Sequence, residues 1–153
     1  MAVEIGEVAP DFMLRDDGNN EVRLSDLRGR NVVLVFYPLD FSPVCTRELK
    51  DLSATRERYA AAGAEILGIS VDSRYVHGAF RRDEQLEVRL LADFHPKGGV
   101  ARAYGAYLEP AGFANRATFV LDRHGVVRHR VLGSPGDARD PDEYLRALAD
   151  CPI

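Results

Sequence analysis

The run Asn31-Val32-Val33-Leu34-Val35-Phe36-Tyr37 is continuously apolar, β-branched and aromatic over a strand's length, and it leads into Pro38-Leu39-Asp40-Phe41-Ser42-Pro43-Val44-Cys45. The first stretch predicts a buried strand. In the second, Ser42 is a helix-capping residue and Pro43 suits the first helical position, so Cys45 falls at about the third residue of a helix. Backbone N–H groups there lack intrahelical partners, and the positive end of the helix dipole favours an anion, which stabilises a thiolate. A buried strand that becomes a helix at a cysteine constrains both the architecture and the chemistry.

The rest of the chain alternates strand and helix signals. Asp11–Arg15 and Glu21–Leu24 flank a turn-rich Asp16–Asn20 and predict an N-terminal hairpin, after which Ser25 caps a short turn. A helix is expected from about Ser42 to Ala62, with Cys45, Leu49, Leu52 and Tyr59 on one inward face. A second core strand covers Ala64–Val71, Ser73 caps a helix to about Leu86, and Val88–Ala92 is a shorter strand. A helix near Gly99–Ala106 follows, then a strand (Ala117–Leu121), a tight turn (Asp122–Gly125) and a strand (Val126–Val131). Asp140-Pro141-Asp142-Glu143 supplies a cap, a first-turn proline and a capping-box acid for a last helix to about Asp150. This order predicts one α/β sandwich domain over residues 1–153.

Lowering a thiol's pKa from about 8.5 to about 6 raises the thiolate fraction at pH 7 roughly 30-fold, about 2 kcal/mol. Enzymatic acceleration needs more, supplied by groups that stabilise charge in the transition state. A cation or hydrogen-bond donors should therefore fold back onto Cys45. The spacing Pro38-x-x-x-Ser42-x-x-Cys45, with a distant arginine opening the strand Asn115-Arg116-Ala117-Thr118-Phe119-Val120-Leu121-Asp122, resembles the peroxiredoxin active site. The resemblance runs from Gly6-Glu7-Val8-Ala9-Pro10-Asp11-Phe12 to beyond Asp122, and within the family it is most similar to the AhpE-like one-cysteine group.

The resemblance implies a thioredoxin-like fold with an N-terminal hairpin and insertions. It implies that Pro38 shields the thiolate, Ser42 donates to bound peroxide, Cys45 attacks it and Arg116 polarises both. It also suggests a homodimer. Glu48, one helical turn after Cys45, would by itself oppose a thiolate and makes sense if it orients an arginine, as the matching family acid does. Asp150-Cys151-Pro152-Ile153 is similar to the Cys-Pro of family members with a C-terminal resolving cysteine, but the usual longer tail is missing. An exposed Cys151 on a mobile chain end would be able to reach a partner subunit's Cys45 sulfenic acid and resolve it; the favoured reading is an incidental thiol.

Simpler readings stand beside these. Cys45 taken alone is an inert buried thiol, Pro43 only starts a helix, and most single arginines such as Arg116 lie at the surface. His77, His95, His124 and His129 show no paired metal-ligand spacing and are read as surface or structural residues. A cysteine protease would need a histidine base beside Cys45, and no flanking motif supports one. The glycine-rich pieces Lys97–Gly99 and Leu132–Gly136 lack a phosphate-loop order and read as turns. A disulfide oxidoreductase needs Cys-x-x-Cys, and Ser42 occupies the partner position. A peroxide sensor or protein-binding module on the same fold is the remaining alternative.

A net charge of −4 with interspersed arginines argues against a nucleic-acid surface, and no apolar run reaches membrane length. Neither a linker nor a repeat is visible, and the first residues lack the basic and apolar regions of a signal peptide. Two cysteines fit a reducing, cytoplasmic compartment better than a disulfide scaffold. The expected activity is reduction of hydrogen peroxide or organic hydroperoxides through a Cys45 sulfenic acid. No metal or other cofactor is expected, and an external thiol or thioredoxin-like reductant restores the thiol.

Overall fold

Residues 2–134, 136 and 139–151 are described by the structure, a computed structural model. The hydrophobic strand at Asn31 becomes β3 (Asn31–Phe36), whose six residues are all buried. Its side chains alternate between two cores. Val32, Leu34 and Phe36 enter one, with Phe12, Tyr104 and Phe119. Val33 and Val35 enter the other, with Leu49, Phe80, Val120 and Tyr144. A continuous apolar run is the signature of such a strand, because both faces of the pleat leave water.

Around β3 the chain builds β1 (Met13–Asp16), β2 (Glu21–Arg23), β4 (Ala64–Ser70), β5 (Arg89–Ala92), β8 (Ala117–Leu121) and β9 (Val127–Leu132) into one sheet of order β2-β1-β5-β4-β3-β8-β9. The β3–β4 and β4–β5 pairs are parallel; the other pairs are antiparallel. Helices α1 (Pro43–Ala54), α2 (Arg56–Ala61), α3 (Arg74–Glu84) and α5 (Pro141–Ala149) contribute Leu49, Tyr59, Phe80 and Leu148 to the second core. The N-terminal segment and α4 (Gly99–Ala103) contribute to the first.

The helix expected over Ser42–Ala62 is two helices. Thr55 interrupts it at φ −108°, ψ 12°, and its hydroxyl donates to the Asp51 carbonyl at 2.9 Å. A threonine hydroxyl bonded to the i−4 carbonyl competes with the regular ladder. The expected inward face nonetheless holds, since Cys45, Leu49, Leu52 and Tyr59 are all buried. The helix near Gly99 ends at Ala103, with Gly105 at φ 72°. A small hairpin, β6 (Tyr107–Leu108) and β7 (Phe113–Ala114), occupies a stretch that carries no alternating pattern. The caps at Ser73 and Asp140 form as expected, accepting from Val76 N–H at 3.2 Å and Asp142 N–H at 3.0 Å.

Candidate active site

The strand-to-helix turn places Ser42 at the N-cap of α1, Pro43 at its first position and Cys45 at its third. Ser42 does not cap with its side chain, which corrects the expectation. Its hydroxyl instead donates to the Leu39 carbonyl at 2.7 Å, which ties the turn to itself. Thr46 donates its hydroxyl to the Ser42 carbonyl at 2.8 Å. Pro38 is buried at the end of the strand segment, and Cys45 is wholly buried.

In the antiparallel β3–β8 register Phe36 faces Ala117. Arg116, one residue earlier, therefore lies at the end of the sheet from which α1 departs. Its main chain is fixed by Asn115 Oδ1, which accepts from Arg116 N–H at 2.9 Å, and by Gly133 N–H, which donates to its carbonyl at 2.8 Å. Its side chain is only 2% exposed, and Nη1 donates to Glu48 Oε1 at 2.6 Å. Glu48 is one helical turn beyond Cys45, and such neighbours stand about 5–6 Å apart. Glu48 thus ties Arg116 to the part of α1 that carries the thiol.

Sequence reasoning missed Arg139. It precedes α5 and is buried, donating its backbone N–H to Glu48 Oε2 at 2.6 Å, Nε to the same oxygen at 3.0 Å and Nη2 to Oε1 at 2.9 Å. Its Nη1 also donates to the Phe36 carbonyl at 2.7 Å and to Thr118 Oγ1 at 3.0 Å. The sole hint was indirect: an acid beside a reactive thiol calls for more than one cation. Burial by itself would raise the Glu48 carboxyl, but hydrogen bonds and charge from Arg139, and charge from Arg116, outweigh it and hold the group below its ordinary range. The two guanidiniums and one carboxylate carry a net positive charge, suited to anionic sulfur and to charge developing on oxygen.

Cys151 is not on an exposed tail. It is 6% exposed, and its Sγ donates to the Ala147 carbonyl at 3.5 Å. Burial, and then the charge of Asp122, push its thiol up. Asp122 follows β8 at the opposite end from Arg116, about 20 Å away at roughly 3.3 Å per residue. Cys151 belongs to that far end.

His77 is completely buried, with Nδ1 2.6 Å from Asp40 Oδ2 and Nε2 3.0 Å from the Leu91 carbonyl. Asp40, Asp72 and His77 have ligand-type atoms within 4.8 Å of one another. Both Asp40 oxygens and both His77 nitrogens face partners within the protein. The cluster is closed on itself.

The AhpC/TSA family model matches residues 5–130. Over 148 residues the chain is 40% identical to alkyl hydroperoxide reductase E of Mycobacterium tuberculosis (strain ATCC 25618 / H37Rv), spanning 96% of this chain and 97% of that one. It is 37% identical over 155 residues to peroxiredoxin-2 of Mus musculus, spanning 95% of this chain and 77% of that one. Among solved structures, Enterococcus faecalis AhpC matches with a TM-score of 0.89 at 31% identity, over 97% of this chain and 92% of that one. The sheet order, the placement of Cys45 in the first turn of α1 and the sequence likeness along the chain agree. The chain belongs to the AhpC/TSA family, the peroxiredoxins, with their thioredoxin fold, and is a thiol-dependent peroxidase.

Proposed function

We propose that Cys45 is the peroxidatic residue and that hydrogen peroxide and organic hydroperoxides are its substrates. The observation that carries this reading is the buried Arg116–Glu48–Arg139 assembly held against the turn of α1 that follows Cys45. The Cys45 thiolate attacks the terminal peroxide oxygen, forming an S–O bond as the O–O bond breaks. Sulfur is oxidised to the sulfenic acid, and the departing oxygen takes up a proton and leaves as water or alcohol. Arg116 stabilises the charge spreading over the two oxygens, Ser42 Oγ, its hydrogen committed to the Leu39 carbonyl, accepts a hydrogen bond from the peroxide O–H, and Pro38 keeps water from the sulfur.

Reduction then requires two thiol equivalents. The first forms a mixed disulfide with Cys45 and releases water; the second frees the Cys45 thiol and leaves as a disulfide. We assign both to an external thiol or thioredoxin-like protein. The distance of Cys151 from Arg116, and its packing under α5, support this one-cysteine cycle. A homodimer fits the exposed aromatic side chains Phe41, Tyr75 and Phe94. A reducing, cytoplasmic setting fits two free cysteines.

The direct test is Cys45→Ser assayed for peroxide consumption with a panel of thiol donors. A folded Cys45→Ser protein is expected to be inactive, and turnover in that variant would remove the assignment.

A further inference from the structure

The segment between β3 and α1 is held by a buried network outside the arginine cluster. Asp40 lies in its middle, five residues before Cys45. Its Oδ1 accepts from the Tyr37 hydroxyl at 2.5 Å, its Oδ2 faces His77 Nδ1 at 2.6 Å, and its backbone N–H donates to Asp72 Oδ2 at 2.9 Å. Asp72 also accepts from the Ser70 hydroxyl at 2.5 Å. The side chains of Asp40 and His77 are fully buried. The next residue, Phe41, has φ +68°, a conformation that L side chains rarely adopt, and its ring packs on Phe80 at a centroid distance of 4.9 Å. Such a backbone persists where its surroundings over-determine it. Here Asp40 on one side and Phe80 on the other do so.

The Leu91 carbonyl and the Asp40 carboxyl face the two nitrogens of His77 from opposite sides of the ring, so its orientation is fixed at both ends. The titratable groups facing the Asp40–His77 pair among the described residues are Tyr37, at the end of β3, and Asp72, after β4. Burial, and then the charge of Asp40, push the Tyr37 phenol well up, so it remains a donor.

We propose that Asp40 and His77 are positioning residues for peroxide reduction: their buried contact fixes the Pro38–Ser42 segment, and with it Pro38, Ser42 and the first turn of α1, in the geometry that receives peroxide. The pair acts through the segment and touches neither peroxide nor sulfur. This inference rests on the reading of Cys45 as the reacting thiol.

The variants Asp40→Ala and Asp40→Asn separate positioning from simple stability. Asparagine has the shape of aspartate and can donate to His77 Nδ1 while accepting from Tyr37, so it restores the contact. The measurement is the rapid-reaction rate of Cys45 oxidation by hydrogen peroxide. Asp40→Ala is expected to lose about tenfold to a hundredfold, the scale of an ångström-level misplacement. Asp40→Asn is expected to recover most of that rate. Equal rates for Asp40→Ala and wild type, or an Asp40→Asn rate no higher than that of Asp40→Ala, would overturn the proposal. If Asp40→Ala does not fold, Tyr37→Phe deletes one anchor and should lose rate severalfold; no loss there overturns it equally. Failure of the Cys45 reading is separate: mass spectrometry would then find Cys45 unmodified in peroxide-treated wild type.

Discussion

Replacing Glu48 by glutamine changes one oxygen to an amide nitrogen and leaves the shape of the side chain intact. The carboxylate accepts from Arg116 Nη1 and from three N–H groups of Arg139, all within 3.0 Å. In the variant an NH2 group faces donors and two buried guanidiniums lose their counter-ion. Breaking a buried pair in this way costs about 3–5 kcal/mol. With a urea m-value of about 2 kcal/mol/M, the unfolding midpoint should fall by about 2 M. The loss should also depend on pH. Because the folded carboxyl is held below its ordinary value of 4.5, its stabilisation is complete above that value and disappears as pH falls through the folded one. Urea melts at a series of pH values should show the wild type and Glu48→Gln far apart at pH 7 and converging as pH falls from 4.5 through the lower folded value, since a protonated Glu48 resembles glutamine. A gap under about 1 kcal/mol at neutral pH would refute the argument that this cluster is a desolvated ion pair, and so would a gap that does not narrow in acid.

Arg116→Ala should lower the rate of Cys45 oxidation about tenfold to a thousandfold, measured at a pH where the thiol of each protein is fully ionised. Matching rates would reduce Arg116 to a structural residue. Cys151→Ser should retain near-normal turnover with a suitable thiol donor. Lost turnover, together with a reducible dimer that disappears in both single cysteine variants, would make Cys151 the resolving residue. Asp140→Ala should cost about 1 kcal/mol, a few degrees in Tm, because its carboxylate caps α5 at the Asp142 N–H; calorimetry reads this directly.

The sheet and helix order was legible because its signals are periodic and local. β3 announced itself by an unbroken apolar run, the inward face of α1 and α2 by helical spacing, and α3 and α5 by their caps. The break at Thr55 and the two-residue strands β6 and β7 depend on a few local hydrogen bonds that no hydrophobic period records. In the site, Cys45 and Glu48 share one helix, so their spacing displays their proximity. Arg116 was named through a family motif, and its contact with Glu48 came from the β3–β8 register. Arg139 had neither motif nor period. Its place is set by which loop closes over α1, a property of the assembled fold. For Cys151 the resolving alternative relied on an exposed chain end, whereas the residue packs inward after α5.

The arginine cluster also dictates when the site comes into being. Glu48 reaches Arg116 across 68 residues and Arg139 across 91. Contacts of such sequence separation form only after the intervening chain has closed its loops, so they arrive late in folding. At a synthesis rate of about 5–20 residues per second, the ribosome needs roughly 5–18 s to add the stretch from Glu48 to Arg139. During that interval the nascent chain presents a cysteine without its full set of cations. On the proposed reading of Cys45 as the reacting thiol, the site is complete only once Arg139 has been added and the domain has closed.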